Sequence, residues 1–203
     1  MTIGGQYGED RILEMFFRNQ KEGFVVDVGA ADGEDNSNSL MLLKRPDWRG
    51  ILIEPEPKQF SILNERYARN LNVRCVNCAI SNSEDVSGML WCGGQGSTLN
   101  HEWKDRCEKD YGTVYDKTVQ VDILTLGGLL HTAEMVADPP IDSIDFLSID
   151  CEGMDYDVLQ SLDFDKWQPR LICIEGRGYA LPENYSEFCL TKGNTFYVRD
   201  DEF

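Results

Sequence analysis

Short apolar segments alternate with amphipathic ones along most of the 203 residues, and this alternation constrains the fold more than any other feature. The segments that predict buried strands are GFVVDVG, GILIEP, NVRCVNCAIS, IDFLSID and RLICIEG. The segments that predict intervening helices are NSLMLLKR, PKQFSILNERYARN, TLGGLLHTAEM and GMDYDVLQSL, after an earlier helix over residues 8–20. Further strand pieces are VSGMLWC and KTVQVDIL, and EFCLTKGNTFYVRD reads as a hairpin. Strands and helices in this order predict βαβ units and a parallel sheet.

Polar residues stand where the five buried strands end. Asp27, Glu54, Asp150 and Glu175 close four of them, and Asn77 closes the other. Ligands of parallel α/β sheets bind beyond the carboxyl ends of the strands. Burying several carboxylates near one another is costly, so a purely structural sheet has no need of this pattern. The sequence therefore predicts a ligand site at this edge of the sheet.

The first strand runs directly into a loop in FVVDVGAADGEDNSNS, where Asp27, Gly29 and Gly33 have the spacing D-x-G-x-x-x-G. Glycine permits a tight turn and a close approach of a ligand. The loop lacks the first glycine of the dinucleotide fingerprint and the lysine of a phosphate-binding P-loop, so its ligand need not carry phosphates. Glu54, which ends the second strand, is placed to accept hydrogen bonds from ribose hydroxyls. These features fit S-adenosylmethionine, a nucleoside with a charged tail.

The chain resembles the FkbM-type methyltransferases, a branch of the class I enzymes that use S-adenosylmethionine. The resemblance rests on an ordered set of segments that together cover most of residues 6–199. They are QYGEDRIL, FVVDVGAADGEDNSNS, WRGILIEPEPKQF, VNCAIS, TLGGLL, IDFLSIDCEGMDYDVLQSLDF and NTFYVR. The glycine loop alone is weakly specific, whereas the ordered set is a strong signal.

The resemblance implies a Rossmann-like α/β fold of one domain over residues 1–203. Its mostly parallel seven-stranded sheet has the order 3-2-1-4-5-7-6, with an antiparallel last strand and helices on both faces. It implies methyl transfer, usually to a hydroxyl oxygen on a sugar or other small metabolite, with S-adenosylhomocysteine as product. Fold and donor do not identify the acceptor.

The resemblance also implies the cofactor contacts. The methionine end is expected to lie near Asp27, Gly29, Ala30 and Gly33, and the ribose near Glu54. Asn77 and Ala79 are expected to flank adenine, and Ser37 with Asn38 matches a pair that members of the family often carry. The full predicted set is Gln6, Tyr7, Asp27, Gly29, Ala30, Gly33, Asn38, Glu54, Pro55, Asn77, Ala79 and Asp150.

A hydroxyl acceptor must lose a proton during methyl transfer. A carboxylate beside the methyl group can take that proton, and a divalent metal can lower the pKa of the hydroxyl. Asp150 and Glu175 end strands that are adjacent in this topology, roughly 4.8 Å apart, so their carboxylates can share a proton or a metal ion such as magnesium or calcium. Asp150 is the predicted base or acceptor anchor, with Glu175 beside it, and no metal site is predicted. The alternatives are His101 as the base and an Asp150 that only braces its loop.

Residues 92–117 predict an irregular insertion rich in glycine, and residues 1–22 a helical N-terminal segment. In the insertion His101, Trp103, Tyr111 and Tyr115 suit stacking on a ring, so an acceptor-binding lid is predicted. The open alternative is a dimer contact or plain packing.

Two positions depart from the family pattern. Gly127 and Gly128 stand where an acidic pair is common, and each glycine costs a helix about 1 kcal/mol. After Glu175 the segment GRGYALPENYS is too short for the usual full helix. Either the fifth strand is left open and the chain self-associates there as a homodimer, or the segment folds back as a flap that covers the sheet.

Composition excludes several classes of function. The 19 basic and 36 acidic residues give a net charge of −17, which opposes binding to nucleic acid or an anionic membrane. No secretory signal opens the chain, and the odd number of cysteines, seven, predicts reduced thiols in the cytoplasm. With a single CxxC at Cys75 and Cys78 and two histidines, zinc is not expected. The partner is therefore expected to be a small molecule or a carbohydrate.

Two other classes of function stay open. One is a binding protein that holds S-adenosylmethionine or S-adenosylhomocysteine without turning over an acceptor. The other is a Rossmann oxidoreductase, against which the missing first glycine argues.

Overall fold

The computed structural model describes residues 5–137 and 139–202, and a seven-stranded sheet lies at its centre. The described residues form ten strands, seven in this sheet and three in a second, smaller sheet. They are β1 (Glu22–Val28), β2 (Asp47–Ile53), β3 (Val73–Val76), β4 (Ala79–Ile80), β5 (Ser87–Cys92), β6 (Lys117–Leu124), β7 (Phe146–Ile149), β8 (Leu171–Glu175), β9 (Tyr185–Leu190) and β10 (Asn194–Arg199). The smaller sheet has the order β4-β6-β5. The helices are α1 (Glu9–Phe16), α2 (Leu40–Leu43), α3 (Pro57–Tyr67), α4 (His101–Tyr111), α5 (Leu126–Val136) and α6 (Asp155–Gln160). None of the helices in these residues is long and apolar enough to cross a membrane.

The sheet has the order β3-β2-β1-β7-β8-β10-β9. β1, β2, β3, β7 and β8 run parallel, and β10 is antiparallel to both β8 and β9. Both the strand order and the antiparallel last strand match those expected from the sequence. Since the parallel strands point the same way, Asp27, Glu54, Asp150 and Glu175 reach the same edge.

Helices cover both faces of this sheet, as the near-continuous apolar strands require. On one face α5 and α6 pack on Val26, Val28 and Ile53, all within the larger buried cluster. On the other face α1, α2 and α3 pack on Val25 and Leu52. The alternation of neighbouring strand residues between the two clusters follows from the side-chain period of two.

Residues 92–117 are more regular than the sequence predicts, because helix α4 occupies eleven of them. The Asn100 side chain caps the helix by accepting a hydrogen bond from the backbone N–H of Trp103. Gly112 ends it with a left-handed φ of 69°, which is the usual C-terminal signal. The predicted irregular structure is confined to the flanks, and the predicted lid therefore carries a helix.

Helix α5 forms despite Gly127 and Gly128. The Thr125 side chain caps it by accepting from the Gly128 N–H. A Cβ at Gly127 would lie 3.3 Å from the carbonyl oxygen of Ser161, so a close approach of two backbones accounts for this glycine. The helix prediction is confirmed, and Gly127 allows tight packing against the segment after α6.

The segment after β8 folds back over the sheet within one chain. Leu171, Ile172, Cys173 and Ile174 are each fully buried. Tyr179, Leu181 and Tyr185 are half-buried against the cluster that contains Ile172 and Ile174. The flap alternative therefore describes the structure, and the exposed apolar strand that motivated a homodimer is not present among the described residues. Self-association stays a prediction without that support.

Candidate active site

Two adjoining hollows lie at the carboxyl edge of the parallel strands. The main cavity has a volume of about 530 Å³ and is bounded by the glycine loop, α4 and the ends of β7 and β8. A narrower cleft of about 40 Å³ runs from it toward Glu54, Pro55 and Ala79. The residues that line both hollows are Gly29, Gln95, Asp150 and Glu152. This arrangement provides one continuous site with a narrow end and a wide end.

Only glycine fits at position 29, where the two hollows meet. Its φ is 84°, and a Cβ built there would lie 1.8 Å from the carbonyl oxygen of Asp150. Gly33 has a different role, because a Cβ there would meet Leu63 of α3 at 2.6 Å and the residue lines neither hollow. Gly33 therefore lets the loop pack on α3, which corrects its predicted position beside the cofactor.

Asp27 is buried at the base of the main cavity. Its Oδ2 accepts a hydrogen bond of 2.5 Å from the Ser39 hydroxyl. Burial raises its pKa to about 6, while hydrogen bonds from Ser39 and Ser148 act in the opposite direction. Asn38 Nδ2 lies 3.4 Å from the Ser148 hydroxyl, so the predicted Ser-Asn segment braces the strand ends. Ser148 was missed at the sequence level, although a serine inside the apolar strand FLSI is a visible signal.

Glu54 is held at the cleft by two backbone donors. Its Oε2 accepts from the Ala31 N–H at 2.9 Å and its Oε1 from the Glu56 N–H at 2.8 Å. Burial is the main reason that its pKa is raised, to about 7. Asn77 lies outside both hollows and donates to the carbonyl oxygens of Glu54 and Pro55, so it holds this turn in place.

Three carboxylates converge at the ends of β7 and β8. Oxygen atoms of Asp150, Asp155 and Glu175 all lie within 4.8 Å of one another. The two carboxylate oxygens of Asp155 each accept a hydrogen bond from the backbone, one from the N–H group of Cys151 and one from that of Gly153. Burial, followed by repulsion from Glu175, raises the pKa of Asp150 well above its usual range. Glu175, whose pKa burial raises to about 8, has a buried Oε2 with no hydrogen-bond partner in the described structure.

These carboxylates are not neutralised by the protein. Among the described residues no lysine or arginine forms a salt bridge with Asp150, Asp155 or Glu175. Lys192 is the one cation among the residues that line the main cavity, and its Nζ lies 5.4 Å from the centroid of the Tyr7 ring. The site therefore favours a proton, a cation or a neutral ligand over an anion.

His101 is not brought to the cavity. It is the first residue of α4, its side chain is 68% exposed, and its Nδ1 faces Asp105 Oδ2 at 3.3 Å. Its ring packs edge-on against Trp91 at 5.4 Å. The structure therefore gives His101 no contact with the predicted acceptor site, and Asp150 is left as the candidate base.

The aromatic residues predicted to stack on a ring do reach the main cavity. Trp103 and Tyr111 project from α4, and Tyr115 lies just beyond it. The indole Nε1 of Trp103 donates to Glu152 Oε2 at 2.9 Å, which ties α4 to the loop after β7. The segment thus forms the wall opposite the glycine loop.

Backbone strain is concentrated at the site. Within the described chain the non-glycine residues with left-handed φ are Ala31 (47°), Asn36 (61°) and Glu152 (51°). All three line the main cavity. Such conformations cost about 1–3 kcal/mol each and cluster at functional sites.

The remaining predicted residues divide between the two hollows. Gln6, Tyr7, Ala30 and Asn38 line the main cavity, and Pro55 and Ala79 line the cleft. Gln95 was missed: its side chain bonds to Asn36 and to the carbonyl oxygen of Asp35, so it bridges the cavity mouth. No sequence pattern marks Gln95, because the contact joins segments about 60 residues apart.

The raised pKa values make the stability of the ligand-free protein depend on pH. Burial raises the pKa of Glu175 to about 8, of Glu54 to about 7, and of Asp27 and Asp155 to about 6. An acid with a higher pKa in the folded chain favours folding at low pH, and that contribution is lost as pH rises through the folded pKa. We expect the melting temperature to fall by ~3 °C or more between pH of about 5 and about 8. A loss of ~1 kcal/mol in the free energy of unfolding would produce a fall of that size.

Thermal unfolding monitored across this pH range measures the effect. Glu175→Gln removes one titrating group and is expected to flatten the upper part of the curve, which separates this group from the general repulsion of an acidic surface. A melting temperature that stays constant or rises would contradict the prediction.

Comparison with known proteins agrees with this geometry. A family model described as the methyltransferase FkbM domain matches residues 27–188. The curated protein methyltransferase sdnD from Sordaria araneosa is 24% identical over an alignment of 163 residues, and the match covers 71% of this chain and 62% of that protein. The chain therefore spans less than two thirds of the length of that relative.

Solved structures share the fold. Methyltransferase FkbM from Methylobacillus flagellatus KT has a TM-score of 0.50 and 14% identity, over 96% of this chain and 48% of that chain. A methyltransferase from Geobacter sulfurreducens has a TM-score of 0.51 and 12% identity, over 97% and 81% of the two chains.

Proposed function

The chain belongs to the family of FkbM methyltransferase domains, and from this premise we propose that it transfers a methyl group from S-adenosylmethionine to a hydroxyl oxygen of a sugar or another small metabolite. One observation carries the proposal. The cleft that ends at Glu54 opens at Gly29 into a wide cavity where the Asp150 carboxylate lies. A narrow nucleoside end and a wide acidic end suit a methyl donor and a separate acceptor.

The residues present fit the donor. Gly29 lines both hollows, and its lack of a side chain lets the loop backbone lie against the Asp150 carbonyl at their junction. Glu54 is fixed by two backbone N–H groups, and a carboxylate oxygen has a second lone pair with which to accept a ribose hydroxyl. Asp27 offers a carboxylate to a cationic tail at the base of the main cavity. When bound, S-adenosylmethionine supplies a methyl group that is already activated by its sulfonium.

Asp150 is the proposed base. Its raised pKa makes the ionised carboxylate a stronger base than an exposed aspartate, and it lines the cavity that would hold the acceptor. Glu175, next to it, would share the proton once it has been taken.

Calorimetry with S-adenosylhomocysteine tests the donor half of the proposal. Saturable binding with a stoichiometry near one is expected, together with no binding of NADH. Absence of S-adenosylhomocysteine binding would reject the proposed function, and binding of NADH would favour the oxidoreductase. Incubation with a labelled methyl donor and a panel of hydroxylated compounds then separates an enzyme from a binding protein.

A further inference from the structure

A side cavity opens beside the main cavity and has no part in the function proposed so far. Its volume is about 330 Å³, and the two cavities share Trp103 and Glu175 in their walls. The side cavity is also lined by Asp155, Tyr156 and Tyr179. It therefore combines three aromatic rings with two carboxylates.

The rings are ordered by contacts of their own. Tyr156 and Tyr179 stack with ring centroids 5.6 Å apart and an interplanar angle of 20°. The Tyr179 hydroxyl donates to the carbonyl oxygen of Glu175, which fixes this ring beside the carboxylate. Trp103 is held by its hydrogen bond to Glu152. Such a preformed wall needs little reordering when a ligand enters.

The side cavity is acidic and has no basic side chain in its described lining. Glu175 Oε2 is buried without a hydrogen-bond partner among the described residues. Arg106 is the near neighbour: its Cζ lies 5.2 Å from the centroid of the Trp103 ring, while its guanidinium faces Asp110 on the same helix. Arg106 therefore already covers one face of this indole, and its charge acts to lower the pKa of Glu175, so a ligand cation depends mainly on the two tyrosine rings.

Aromatic faces and carboxylates together are the chemistry that recognises an organic ammonium ion, through cation–π attraction and charge. The carboxylate oxygens could also hold a metal ion, but the three aromatic rings offer such an ion nothing, whereas they attract an organic cation. We propose that the side cavity binds a protonated amino or quaternary ammonium group of the methyl acceptor, and so selects an acceptor that carries both a hydroxyl and an organic cation. The inference rests on the proposed function only for the statement that the cation belongs to the acceptor.

Choline is a suitable probe, and 3,3-dimethylbutan-1-ol is its neutral isostere. Titrations followed by NMR of the ligand methyl signals, with saturating S-adenosylhomocysteine in the cofactor site, report on the side cavity. Choline is expected to bind saturably, and the isostere at least ~3-fold more weakly, since a cation–π contact contributes ~0.5–2 kcal/mol. This comparison uses the unaltered protein and does not depend on the folding of any variant.

Tyr156→Leu tests the location. Tyr156 lines the side cavity alone and is 40% exposed, so its loss is expected to weaken choline binding by ~3-fold or more while S-adenosylhomocysteine binding stays unchanged. Met135→Leu is the control, because Met135 is exposed on α5 and lines neither the main cavity, the cleft nor the side cavity, so choline binding is expected to stay intact.

Three results would overturn the proposal: no saturable choline binding, equal binding of the isostere, or undiminished choline binding in Tyr156→Leu. A fourth result would also overturn the proposal: magnesium displaces choline, and magnesium binding is lost in Glu175→Gln but kept in Tyr156→Leu. That result would assign the carboxylates to a metal ion. Choline binding without S-adenosylhomocysteine binding would reject the proposed function and leave the side cavity standing. The reverse result would reject the side cavity alone.

Discussion

Replacing Asp150 by asparagine is expected to lower the rate of methyl transfer by ~10²- to 10⁴-fold, the range typical of general base catalysis. Asparagine keeps the size of the side chain and cannot take a proton. The Asp150 carbonyl oxygen, which abuts Gly29, is untouched by the substitution. Affinity for S-adenosylhomocysteine is therefore expected to stay within a few-fold of the unaltered protein.

The measurement is the initial rate with a labelled methyl donor and an acceptor found by screening. Asp35→Asn is the matched control, because Asp35 lines the same cavity, and it contributes its backbone carbonyl to Gln95. It is expected to retain most of the activity. Full activity in Asp150→Asn, with the fold and cofactor affinity intact, would exclude Asp150 as the base.

The parts of the fold that could be predicted are those encoded locally. The strands formed by GFVVDVG and GILIEP are buried on both faces. An unbroken run of apolar residues predicts such a strand directly. Their ends placed Asp27 and Glu54 at one edge of the sheet, because parallel strands share a direction. The strand order implied by the family resemblance makes Asp150 and Glu175 neighbours, and their strands are indeed paired.

The parts that could not be predicted depend on contacts between distant segments. The glycines of residues 92–117 suggested irregular structure, but α4 is fixed at its start by Asn100, which also donates to the carbonyl oxygen of Gly153. The helix is thereby oriented so that Trp103 faces the cavity and His101 is exposed to solvent. Sequence position alone does not say which face of a short polar helix is turned inward.

The same limit separates residues that line the site from residues that support it. The family resemblance implies that Gly33 and Asn77 lie beside the cofactor. In the structure Gly33 leaves room for the Leu63 side chain to pack against the loop. Asn77 donates hydrogen bonds to the backbone carbonyl oxygens of Glu54 and Pro55. The side cavity was invisible for a related reason, since Tyr156 and Tyr179 meet only because the segment after β8 folds back over the sheet.

Replacing Glu54 by alanine is expected to weaken S-adenosylhomocysteine binding by about 10- to 100-fold, as ~1.5–3 kcal/mol for hydrogen bonds to a charged group implies. The carboxylate is buried at the narrow end of the site and both of its oxygens are positioned by backbone donors. Alanine removes the acceptor for the ribose and leaves the N–H groups of Ala31 and Glu56 unpaired.

Glu54→Gln separates these two losses, because its amide oxygen still accepts one backbone hydrogen bond. If the ribose interaction dominates, the Glu54→Gln variant is expected to lose most of the affinity that the Glu54→Ala variant loses. Its melting temperature is expected to lie closer to that of the unaltered protein. Glu34→Gln is the matched control, since Glu34 lies in the glycine loop, whose Ala31 N–H donates to Glu54, and its own side chain pairs with Arg66 at the surface. Because burial raises the pKa of Glu54 to about 7, affinity in the unaltered protein is also expected to fall below that pH, where the carboxyl group is protonated. Calorimetry that finds equal affinity in Glu54→Ala and the unaltered protein would remove Glu54 from the cofactor site.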